Sequence, residues 1–178
     1  LFGGRYSLAI GAVAVAVAGL VGVPVGAVAG VAGGRVDALL MRVVDALYAV
    51  PFLVLAVAVA AFLGRGFAEL VAALVLVGWV TYARLVRGEV VRVVARPHVD
   101  AAEAMGLAPL TRLRRYVLPH ALPPVVVQAT LNVGVVVLAA AALGFLGLGL
   151  PPSTAEWGSM LARGRESLLR GHWWVTVF

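Results

Sequence analysis

A chain of 178 residues that is 63% hydrophobic and 12% charged, with mean hydropathy +1.06, belongs to the membrane class; soluble domains run near half apolar and a quarter charged. Its net charge of +6 rests on fourteen basic residues, all Arg, which gather between apolar runs instead of on a wet face, so nucleic-acid binding is not expected. Absence of Cys excludes disulfides, thiolate metal sites and Cys nucleophiles, and absence of Lys excludes a phosphate-gripping P-loop Lys, so any ATP chemistry must sit on another chain.

The apolar excess is Ala, Val, Leu and Gly, which predicts an all-α fold of helices packed in lipid. The start, Leu1-Phe2-Gly3-Gly4-Arg5, is not a signal peptide, and the chain is read as cut here and again at Phe178. Residues 8–32 hold no polar side chain, and about twenty residues cross a hydrocarbon core, so a first span is placed at about 7–32. Gly22, Gly26 and Gly30 recur at i+4 and give it one face without Cβ atoms, suited to close helix packing, while Pro24 should kink it.

Gly33 and Gly34 end this helix, and Arg35, Asp37, Arg42 and Asp45 mark a short polar connection. A second span follows at 46–63, with Tyr48 at the interface and Pro51 near its start. Gly64-Arg65-Gly66 turns the chain into a third span at 67–83, whose Glu69 can snorkel. Residues 84–119 then change character: seven Arg with Glu89, Asp100 and Glu103 would each cost roughly 2.5–3.5 kcal/mol at mid-bilayer, so this segment lies in water.

A fourth span is expected at 121–148, with Gln128, Thr130 and Asn132 as its few polar groups. The segment 149–171, with Trp157, Arg163, Arg165 and Glu166, reads as a polar loop, and Trp173-Trp174 resembles an interfacial belt opening a further, truncated span. Nine Arg fall on the side of the long loop and five on the other, which places 84–119 in the cytoplasm and 149–171 outside.

Within the long loop, Pro97 suits a first helical turn, and Asp100 and Glu103 sit where the helix dipole favours anions. Gly106 would end that helix in a left-handed cap. Pro109 would open a second short helix that Pro119 breaks. The loop therefore reads as a bent elbow, with Ala101, Ala102, Ala104 and Met105 as a small apolar surface for another protein.

Asp100-Ala101-Ala102-Glu103-Ala104-Met105-Gly106, nine residues, then Tyr116-Val117-Leu118-Pro119, resembles the EAA loop of ABC importer permeases. Asp100 stands for the leading Glu of that pattern and Tyr116 for its Ile. Gly33-Gly34-Arg35-Val36-Asp37, Gly78-Trp79 with Tyr82-Ala83-Arg84, Leu118-Pro119-His120-Ala121-Leu122-Pro123-Pro124, and Gly144-Phe145-Leu146-Gly147-Leu148-Gly149 with Trp157-Gly158 are similar to the dipeptide/oligopeptide/nickel branch.

The resemblance implies the type I importer permease fold, a transmembrane helical bundle of six spans. This chain would carry about four of them and the start of another. It implies that Asp100, Ala101, Ala102, Gly106, Leu118 and Pro119 couple to ATP-binding subunits. It further implies a second permease subunit, an extracytoplasmic solute-binding protein, membrane lipids around the spans, and a multi-pass place in the bacterial cytoplasmic membrane. The cargo would be peptide, nickel or another small solute, with ATP and Mg held by partner chains and no cofactor on this one. The chain departs from the family at His120, where Asn is usual, and at residues 139–142, all Ala, where an acidic residue is usual.

Several readings stay open. Gln128 and Asn132, at i+4, could line a substrate path or serve interhelical hydrogen bonding. Arg112 and Arg115 could meet an acidic partner, lipid headgroups or only water. Asp37 and Asp45 read as interface residues, and Glu89 with Arg92 as a local i,i+3 pair. His98, His120 and His172 fall in different segments, so no metal site is expected. The rival classes are an ion-gradient-driven secondary transporter or channel, which would need ionisable residues buried in the spans, and a membrane scaffold, for which the elbow has no use.

Overall fold

A backbone buried in lipid must satisfy its N–H and C=O groups within itself, and among the described residues every regular element is helical. The computed structural model describes residues 2–151 and 153–171; Pro152, His172 and the Trp173-Trp174 pair lie outside them. In chain order the elements are α1 (Phe2–Ala32), α2 (Gly34–Tyr48), α3 (Phe52–Leu63), α4 (Phe67–Val94), α5 (Pro97–Ala104), α6 (Pro109–Arg112), a π-helical turn (Leu113–Val117), α7 (Leu118–Phe145) and α8 (Trp157–Leu169). Three stretches are long and apolar enough to cross a bilayer: Gly3–Ala32, Phe67–Val94 and Pro109–Phe145.

The expected second span at 46–63 is not one helix. α2 and α3 meet at 86°, because Pro51 lacks an N–H and disfavours helical geometry at Val50. α3 alone has 12 residues, about 18 Å of helix against a hydrocarbon core of about 30 Å. The expected polar connection before it is helical as well. α2 turns its apolar side inward, with Val44 fully buried and Met41 and Leu47 packed beside it, and its acidic residues have partners on α4.

Three further expectations change. α4 does not stop at residue 83 but carries Arg84, Arg87, Glu89 and Arg92 on its last turns to Val94. Pro119 does not end the elbow's second arm. The Leu118 N–H reaches back five residues to the Leu113 carbonyl, and this wide turn makes room for a ring that would clash with a carbonyl four residues before it. The segment 149–171, read as a loop, contains α8.

The chain divides into two compact units. The first draws on Leu1–Val15, Phe52–Val77 and Asn132–Phe178. Its core includes Ile10, Leu70, Leu74, Ala140 and Leu143, all at most 1% exposed. Here α1 meets α7 at Gly11, where a Cβ would come 2.5 Å from Val137 Cγ2. The second unit draws on Ala16–Pro51 and Gly78–Leu131, and its core gathers Val44, Val80 and Ala83 with Val25, Met41, Leu47 and Trp79. In this unit Gly22, Gly26 and Gly30 face α4. A Cβ at Gly22 would lie 2.5 Å from the Trp79 carbonyl oxygen, one at Gly26 2.8 Å from Val86 Cβ, and one at Gly30 2.7 Å from Val90 Cγ1. Only glycine permits this approach of two helix backbones.

Candidate functional site

The elbow forms from local signals. Pro97 opens α5 behind Arg96 in extended conformation, and Asp100 occupies the first turn. Gly106 takes φ 77°. Around it the Gly106 N–H donates to the Glu103 carbonyl at 2.8 Å and the Leu107 N–H to the Ala102 carbonyl at 3.2 Å, a Schellman motif that closes the helix. Pro109 then opens α6. α5 packs against both α6 and the π-helical turn, and an Arg112–Glu103 ion pair joins the two arms.

Within this frame the expected coupling residues differ in situation. Ala102 is fully buried with Val99 and Val117, so it sets how closely α5 lies on its neighbours. Asp100, Ala101 and Gly106 are exposed, Leu118 is half-buried and Pro119 is exposed. Met105 and Leu110 stand out at 68% and 58% exposure, giving the bend an apolar tip. Arg112 is held by Glu103, whereas Arg114 and Arg115 are exposed.

A second cluster joins α2 to α4. The Arg87 guanidinium donates from Nε to Asp37 Oδ1 at 3.0 Å and from Nη2 to Oδ2 at 2.5 Å. Asp45 pairs with Arg84, whose guanidinium lies 4.2 Å above the Tyr48 ring. Asp37, Asp45, Arg84 and Arg87, with Met41 and Arg42, line a cavity of about 640 Å³. Asp37 and Asp45 are thus each paired with an Arg of α4. No local pattern announces partners 50 and 39 residues away.

Gln128 and Asn132 are both half-buried on α7, and neither lacks a partner. Among the described residues no group of three or more His, Cys, Asp or Glu is placed to hold a metal ion. The sequence did, however, give no reason to expect that His98 and His120 would meet, yet their rings lie 4.9 Å apart.

Glu156 was also missed. It is 1% exposed, just before α8. Its Oε1 accepts the Ser159 N–H at 2.9 Å, capping the helix, while Oε2 is buried without a hydrogen-bond partner. The carboxylate lies against Gly144 and Gly149, and a Cβ at Gly149 would sit 3.1 Å from Oε1. Nearby, the Trp157 N–H donates to Ser7 Oγ at 3.1 Å, tying the start of α8 to α1. The only advance signal was an acidic residue three positions before Ser159, at a helix start.

Burial pushes the Glu156 carboxyl above its usual range, and the Ser159 and Gly158 N–H groups oppose the shift in part. A raised folded-state value means that this group favours folding most below its ordinary value of 4.5, and that the benefit is lost as pH rises through the folded value. Glu156→Gln should therefore gain thermal stability over the unsubstituted protein near pH 7–8. The gap should close as pH falls toward 4.5. Parallel melting curves across that range would refute the assignment.

Residues 22–177 match the family described as "Binding-protein-dependent transport system inner membrane component". The chain is 40% identical over 178 residues, all of its length and 59% of the relative's, to a probable D,D-dipeptide transport system permease protein of Escherichia coli strain K12. It is 37% identical over 177 residues, 99% of the chain and 55% of the relative, to a dipeptide transport system permease protein of Bacillus subtilis strain 168. It is 42% identical over 175 residues, 98% of the chain and 57% of the relative, to a di/tripeptide transport system permease protein of Pseudomonas aeruginosa strain UCBPP-PA14. The chain thus spans a little over half the length of these curated relatives. With apolar spans, an all-α fold and a family match over most of its length, this chain belongs to the binding-protein-dependent inner-membrane transport component family.

Proposed function

We propose that the protein containing this chain is the permease subunit of an ATP-driven peptide importer, and that residues 97–119 are the elbow through which partner ATPases drive it. The carrying observation is that the elbow's second arm and the span after it are one apolar helical stretch, Pro109–Phe145. Force applied to α6 meets no flexible loop before α7. The exposed Met105–Leu110 tip supplies a docking surface, and the Schellman turn with the Glu103–Arg112 pair keeps the two arms at a fixed angle.

The chain itself does no covalent chemistry. ATP and Mg belong to the partner ATPases, and closure of those subunits would tilt the spans between two packings. The remaining partners are a second permease subunit and an extracytoplasmic binding protein. Peptide cargo rests on the relatives, which are named for dipeptide and di/tripeptide transport. Asp100, Ala101, Ala102, Gly106, Leu118 and Pro119 would carry the coupling, and Gln128 with Asn132 a polar stretch of the path.

These 178 residues hold no Cys, so Met105→Cys, in the protein freed of any Cys elsewhere, places a thiol at the tip. In the assembled complex it should cross-link to an ATP-binding subunit and resist membrane-impermeant thiol reagents in intact cells. Labelling from outside the cell, or no ATPase adduct, would overturn the proposal; an ion-gradient transporter predicts the missing adduct.

A further inference from the structure

His98 and His120 stand at the two ends of the elbow: His98 in the first turn of α5, and His120 in the first turn of α7. Folding sets their ring centroids 4.9 Å apart with 38° between the planes. His120 Nδ1 lies 3.0 Å from the Tyr116 carbonyl oxygen. A carbonyl only accepts, so Nδ1 carries the hydrogen, and in the neutral ring Nε2 keeps its lone pair. His98 Nε2, by contrast, is buried with no hydrogen-bond partner. An orphaned polar atom of this kind needs an explanation, and a missing water or ion is a standard one.

Ring contact alone leaves that nitrogen unsatisfied; a shared ion would satisfy it. Nitrogens about 2.0–2.1 Å from one ion, at tetrahedral or square angles, put the two ring centres about 4.5–5.2 Å apart. The observed separation of 4.9 Å falls in this interval. Ligating imidazoles also commonly anchor their other N–H on a carbonyl, as His120 does on Tyr116.

The geometry points to a two-imidazole site for a divalent first-row transition ion at the base of the elbow. Imidazole suits Zn²⁺, Cu²⁺ and Ni²⁺. No third His, Cys, Asp or Glu joins the pair among the described residues, so water fills the remaining positions and the ion is exchangeable, not a structural centre. Bound there, it would tie α5 to α7 across the bend.

The test is Cu²⁺ titration of the purified whole protein followed by electron paramagnetic resonance, with His98→Ala and His120→Asn prepared separately and checked for native elution. The unsubstituted protein should show one copper with hyperfine coupling to two nitrogens. Loss of a ligand should weaken binding at least as much as loss of an outer-shell partner, about 10- to 100-fold, and each variant should lose one nitrogen. A copper spectrum and affinity unchanged in both variants, or no two-nitrogen signal in the unsubstituted protein, overturns the site. Because the ion's own spectrum is read, the result is independent of whether the elbow docks an ATPase.

Discussion

Gly26→Val is expected to lower accumulation of the folded protein sharply, whereas Gly19→Val on the same helix is expected to leave it near normal. A Cβ at Gly26 would run into the Ala83 carbonyl oxygen and stand 2.8 Å from Val86 Cβ and 3.0 Å from the Arg87 nitrogen. Two of those three atoms are backbone, so no rotamer change relieves the clash and α1 must back away from α4. That movement also loosens the contacts of Gly22 with Tyr82 and of Gly30 with Val90. Overpacking at one site costs about 1–3 kcal/mol, and the shared helix pair makes the loss larger, against a total stability of roughly 5–15 kcal/mol. Gly19 has nothing within 4 Å of its notional Cβ, so it controls for helix propensity and insertion. Detergent-extracted yield and melting temperature read both variants, with Gly26→Ala intermediate. Normal yield and melting for Gly26→Val would show that the two backbones are not so close.

Gly106 tests a different physics. Its notional Cβ also meets nothing within 4 Å, but its φ is 77°, so any effect of substitution is backbone strain and not crowding. A non-glycine residue in this region costs about 1–2 kcal/mol; Asn is tolerated best and β-branched residues worst. A Val that escapes to ordinary φ must break the bonds from the Gly106 and Leu107 N–H groups to the Glu103 and Ala102 carbonyls, and the angle between α5 and α6 is then lost. Substrate-stimulated ATPase activity in the assembled complex should fall in the order Gly, Asn, Ala, Val. The Val variant should lose about tenfold or more, since 1.4 kcal/mol is a factor of ten. Extraction yield should stay near normal, which separates this result from the Gly26 outcome. Full stimulation in Gly106→Val would sink the proposed coupling role of the elbow.

Membrane class, helical character, the three long spans and the elbow's punctuation were legible in the residues because each depends on neighbours in sequence. Twenty-five apolar residues in a row, a Pro at the start of α5 and a Gly at its end act through local hydration and local dihedrals. The EAA-like spacing belongs to the same category.

The chain in three dimensions settled what charges and prolines mean when their partners lie far away. α2 looked like a polar connection because Arg35, Asp37, Arg42 and Asp45 interrupt the apolar runs, yet Arg87 and Arg84 hold the two Asp on α4. Pro51 was placed inside a span and Pro119 at a helix end; the first stands at an 86° bend, while the second is absorbed by a π-helical turn. Ala101 and Ala102 looked equivalent until packing buried one and exposed the other. Glu156 and the His98–His120 pair acquire their character only from glycines and rings brought beside them. Hydropathy is a property each residue carries with it, but desolvation, pairing and close approach belong to a residue together with whatever folding sets against it.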